Sequence, residues 1–194
     1  MSDTPAGADT GGIARVLPSS ELWRAVAAAA ACALLGLLSF GRGERIPLFG
    51  WIDLAVHEFG HVATIWMPEV ATAMAGSVAQ VLLPLLVCGY FLYRREPLSA
   101  MLCLAWAGTS ARDASVYIAD APYEALQLIG GYHDWAFILG PEGFDAIGSA
   151  GAVARFVSGM GLVMVVAAVA GCLATPVIRA RFAVAPAPEV PLPE

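Results

Sequence analysis

Apolar residues fall into long blocks separated by short polar intervals, and each block is near the roughly twenty residues that a helix needs to cross about 30 Å of hydrocarbon. The blocks run over 22–40, 46–67, 71–93, 98–119 and 150–175. The pattern predicts an all-α, polytopic membrane helix bundle of about five transmembrane helices. Pro47 suits the first turn of the second helix, and Pro68 marks its end just after Trp66. Within the third block, Ala75, Gly76 and Ala79 are small residues that permit close helix contact, and Gln80 adds an amide able to bond across the interface.

Two blocks carry polar residues that lipid does not accommodate. The second contains Asp53, His57, Glu58 and His61, and the fourth ends in Thr109, Ser110, Arg112, Asp113, Ser115 and Tyr117. An ionisable group near the bilayer centre costs on the order of 2–3 kcal/mol, so these faces are expected against protein, water or a bound ion. The interval 120–149 is too polar and Gly-rich to span, yet holds the apolar runs 125–129 and 135–139 around Gly130, Gly131, Tyr132, His133 and Asp134. It is predicted to be a partly buried loop before the last helix. Residues 1–20 read as a disordered tail, 21–181 as the membrane-embedded domain, and 182–194 as a Pro-rich extended tail. Because no basic start leads directly into an apolar core, the first block is read as a retained helix rather than a cleaved signal.

Composition reinforces the membrane assignment: 59% of residues are hydrophobic, 13% are charged, and mean hydropathy is +0.72. The formal charge is −6 and all ten basic residues are arginine, with no basic patch suited to nucleic acid. Cys32, Cys88, Cys103 and Cys172 fall in different apolar blocks without Cys-x-x-Cys spacing, so no disulfide framework is expected. A multi-pass protein of the cell membrane, with the bilayer as its solvent, follows from these features; association with further copies stays open.

The sequence His57-Glu58-Phe59-Gly60-His61 carries the chemistry. Histidines four apart share a helix face, where both imidazoles can converge on one metal ion while Glu58 reaches its water. A catalytic zinc needs three protein ligands and an open position, so a distant residue must complete the set. His133, the remaining histidine, is the first choice in its Gly-preceded turn. Asp134 follows closely, and Asp113, at a matching distance from its helix end, is third.

With these residues the chain resembles the site-2 protease family of zinc intramembrane metallopeptidases. The resemblance covers roughly residues 46 to 140. It rests on His57-Glu58-x-x-His61 in a membrane segment and on the small-residue stretch from Ala75 to Gln80 shortly after it. In the family the third ligand is an aspartate followed by glycine; Asp134 before Trp135 is the nearest counterpart here. The resemblance implies one Zn²⁺ ion and hydrolysis of a peptide bond in a transmembrane protein or peptide substrate, with Gln80 supporting substrate or oxyanion. The residue types fit: zinc lowers the pKa of a bound water and polarises the scissile carbonyl, and Glu58 moves the proton to the leaving amine.

In a five-span arrangement Arg42, Arg45, Arg94, Arg95, Arg179 and Arg181 fall on one side, which the positive-inside rule makes cytoplasmic, with the metal nearer the other face. Two rivals remain at this level. One is a non-proteolytic metal-binding scaffold that needs no Glu58; the other is a small transporter with an ion path through His57, Asp113 and Arg112, which inverted repeats would favour, though none is visible between the halves of the sequence.

Overall fold

The computed structural model describes residues 19–43, 46–128 and 131–182. The bulk of the two expected tails, with Arg45, Ile129 and Gly130, lies outside them. Among the described residues there are helices and turns but no strand. Helix α1 (Ser19–Gly36) continues into a π-helical turn, Leu37–Gly41. Helix α2 (Pro47–Ala63) begins with proline in its first turn, where the missing N–H is not needed. It stops short of the expected Met67 because Thr64 leaves helical geometry and returns its hydroxyl to Gly60 O at 2.8 Å. Pro68 then starts α3 (Glu69–Tyr93), and another proline opens α4 (Pro97–Asp120). The interval before the last helix holds a short helix, α5 (Asp134–Leu139), and a 3₁₀ turn, Ile147–Ser149. Helix α6 (Ala150–Phe182) runs beyond the apolar block that ends at residue 175 and passes through Pro176.

Small residues set the packing. A Cβ on Gly108 would lie 2.6 Å from Gly161 O, and one on Gly161 would lie 2.5 Å from Gly108 O, so α4 and α6 meet backbone to backbone. Ala29 and Cys32 of α1 pack with Ala105 of α4 and with Ala168 and Cys172 of α6. Gly60 of α2 lies against Ala75 and Ala79 of α3, and Gln80 Nε2 donates to Ser110 O of α4 at 3.2 Å.

These contacts fix the directions. Helix α1 is antiparallel to α6: Glu21 lies 3.7 Å from Arg179, Gly36 faces Val165, and Phe40 reaches Gly161. Helix α4 is also antiparallel to α6, with Met101 beside Gly171 and Gly108 beside Gly161. Helix α2 runs parallel to α4, since Phe49 packs on Trp106 and Asp53 accepts from Ser110. Consecutive helices α1 and α2 therefore run the same way. The chain manages this by turning at mid-height, between Phe40 at the Gly108–Gly161 crossing and Phe49 at Trp106. Strictly alternating spans would make α1 and α6 parallel and place Arg42 at a bundle end; it instead follows the half-height turn.

Three helical stretches, Ser20–Gly41, Glu69–Tyr93 and Ile147–Ala180, are long and apolar enough to cross a membrane. Helix α2 has only 17 residues, and the apolar run of the 24-residue α4 gives way to a polar half. Large apolar side chains such as Trp51, Phe59, Val62 and Trp66 on α2, and Phe156, Val163 and Val166 on α6, point outward, as a lipid-facing surface requires.

Candidate metal centre

Asp53, His57 and His61 recur every fourth residue on one face of α2, turned towards α3 and α4. Both histidines have one ring nitrogen committed. His57 Nδ1 lies 2.9 Å from Gln80 Oε1 and His61 Nδ1 lies 2.8 Å from the carbonyl of Thr72. Carbonyl oxygens only accept, so both Nδ1 atoms carry the proton and both Nε2 atoms present lone pairs.

The two lone pairs meet a carboxylate: Asp134 Oδ2 is 3.0 Å from His57 Nε2 and 3.2 Å from His61 Nε2. One ligand atom from each of the three residues falls within 4.8 Å of the others. Two neutral imidazoles and a carboxylate placed so close together could hold a metal ion. Nitrogen and oxygen donors in a group of three suit a divalent transition metal with a position to spare. The fourth side of the cluster is backbone: a Cβ on Gly76 would lie 2.6 Å from His57 Nε2 and 2.7 Å from His61 Nε2.

Helix α5 delivers the aspartate. His133 caps it, accepting from Ala136 N through Nδ1 at 3.1 Å, which leaves Nε2–H to face Asp120 Oδ2 at 3.3 Å. Trp135 Nε1 donates to Ser77 Oγ on α3 at 2.9 Å, and Asp134 N donates to Tyr117 Oη on α4 at 2.8 Å. The group brought together is thus His57, His61 and Asp134. His133, the first choice from sequence, is not in it, because both its ring nitrogens serve the α5 cap and Asp120. Asp113 is not in it either; it stands one turn below Tyr117, on the wall of the adjoining cavity.

That cavity, about 480 Å³, adjoins the metal group and is also lined by Glu58, Asp53, Phe49, Arg112, Leu126 and Tyr132. Glu58 is exposed to it, beside the group rather than part of it. Asp53 is buried at its edge, accepting from Trp106 Nε1 at 2.8 Å and from Ser110 Oγ at 2.9 Å. The chain matches no protein-family model, no curated protein and no solved structure. What the centre can do therefore rests on its geometry and donor set.

Sequence reasoning missed Tyr117 and Thr72 as supports. Tyr117 was visible only as part of a polar half-helix, though its hydroxyl also lies 3.3 Å from Asp134 Oδ2. Thr72 contributes its main-chain oxygen, which no side-chain pattern announces; its hydroxyl, donated to Thr64 O at 2.8 Å, holds that turn in register.

Proposed function

We propose that this protein is a zinc-dependent intramembrane endopeptidase of the cell membrane, acting on transmembrane protein or peptide substrates. The observation that carries the reading is the convergence of His57 Nε2, His61 Nε2 and Asp134 Oδ2, with both Nδ1 atoms bound elsewhere. An aspartate from a later segment is also what the resemblance to site-2 proteases implies. In this reading five helices, α1 to α4 and α6, are embedded in the bilayer.

A bound zinc supplies Lewis acidity to the scissile carbonyl and lowers the pKa of a water. The chain does the rest. Gln80 and Thr72 hold the imidazoles in the tautomer that presents Nε2, and Gly76 leaves them room. Glu58 takes the proton of the attacking water and returns it to the leaving amine. An intact helix holds its carbonyls in internal hydrogen bonds, so the substrate must unwind near the site before it is cut.

Metal analysis of detergent-purified protein tests the ligand set. Wild type and His133→Ala are expected to carry about one zinc per chain, and His61→Ala and Asp134→Ala to lose it. Zinc kept by Asp134→Ala but lost by His133→Ala would reverse the assignment. Glu58→Gln is expected to keep zinc and abolish cleavage of single-span peptides co-reconstituted in vesicles; retained cleavage would remove Glu58 as the base, and a closed structural centre would show no dependence on it.

A further inference from the structure

Helices α1 and α2 follow each other and run in the same direction, which is impossible for two complete and successive membrane crossings. A return from one face to the other must cover about 30 Å of hydrocarbon. The connection has only the residues 42–46, and five residues reach at most roughly 18 Å fully extended. The contacts give the same answer: Phe40 ends beside Gly161, in the middle of the α4–α6 crossing, and α2 begins near Trp106, also in the middle of α4.

We infer that α1 and α2 form one discontinuous crossing, broken inside the membrane, so that the Glu21 and Arg179 ends of the bundle share a face and the break is wetted by the metal cavity. The inference rests on the membrane reading but not on proteolysis. Non-helical backbone survives at membrane depth only where protein covers it or water reaches it. Here Ser39, Gly43 and Ile46 line the same cavity as Asp53, Arg112 and Asp113.

The arrangement also re-sorts the arginines. Arg24, Arg94, Arg95 and Arg179 gather at one end, with Arg24 and Arg179 sharing a surface recess with Glu96. The positive-inside rule makes that end cytoplasmic. The metal group, near the Thr64–Thr72 turn and α5, lies towards the opposite face.

Cysteine labelling in the full chain tests this, with Cys32, Cys88, Cys103 and Cys172 replaced by alanine and single cysteines added in oriented vesicles. Glu21→Cys and Arg179→Cys are expected to label from the same face, and Glu124→Cys from the other. Ser39→Cys, on the cavity wall, is expected to react with a small water-soluble thiol reagent at least tenfold faster than Leu34→Cys on the outer surface. Labelling of Glu21→Cys and Arg179→Cys from opposite faces would overturn the single broken crossing. A Ser39→Cys no more reactive than Leu34→Cys would overturn the wet break. Epitope tags ahead of Met1 and after Glu194 of the otherwise unaltered protein repeat the first measurement by protease protection, should the cysteine replacements destabilise the fold.

Discussion

A methyl group at Gly76 would stand 2.6 Å from His57 Nε2 and 2.7 Å from His61 Nε2, on the side where both rings offer their lone pairs. Alanine is the better helix former by about 1 kcal/mol, so Gly76→Ala should leave α3 as stable as before or more so while pushing the imidazoles out of line. The expected result is a zinc affinity lowered by more than tenfold with no fall in thermal stability, read by metal titration beside a melting curve. Loss of both together would mean that Gly76 serves packing alone. The histidine pair was legible from sequence because a four-residue spacing is a local property of any helix. The choice between His133 and Asp134 was not, because neighbouring residues point in different directions and only the capped start of α5 decides which faces inward. The bond that Ala136 N donates to His133 Nδ1 keeps the histidine at the helix start and leaves the aspartate turned towards His57 and His61.

Helix α5 has six residues, far below the length at which a helix persists by itself, so its position is set by what it touches. At its start it is held by the His133 cap, the Tyr117 hydroxyl on Asp134 N and the indole of Trp135 on Ser77, and at its end Ile138 and Leu139 pack against Ala73, Ala121 and Ala150. With Asp134 as the proposed third ligand, loosening α5 should weaken metal binding without removing a ligand. Trp135→Phe deletes one hydrogen bond of roughly 1 kcal/mol and leaves Ser77 Oγ to find another partner. Zinc affinity should fall about five-fold, and amide exchange over 134–139 should quicken while α3 and α4 keep their protection. The apolar run 135–139 was readable as a buried piece of loop, and Ile138 and Leu139 are indeed buried. Its helical form and its dock on Ser77 depend on contacts across 58 positions of sequence, which periodicity does not encode.

Across the whole molecule, the hydrophobic blocks announced the long helices, three of which are long and apolar enough to cross a membrane, because the length of an apolar run sets how much hydrocarbon a helix can span. The path of the chain between them was hidden, since an apolar run records how much lipid a helix can face but not the depth at which it begins or ends. Only the pairings of Glu21 with Arg179, of Phe40 with Gly161 and of Phe49 with Trp106 reveal that α1 ends beside the α4–α6 crossing and that α2 starts there in the same direction. The spine of this arrangement is the α4–α6 crossing, where the facing atoms are main-chain carbonyls that cannot swing aside. Gly161→Leu should therefore part the two helices, at a cost of roughly 1–3 kcal/mol or more, and because α4 carries Tyr117 and the Ser110 carbonyl that steadies Gln80, the metal site should fail with it. Gly159→Leu, two residues away with open space where its side chain would go, is the matched control and should change neither property. Melting temperature and zinc content in detergent measure the pair, and equal behaviour of the two variants would mean that the crossing is not what holds the bundle and its metal centre together.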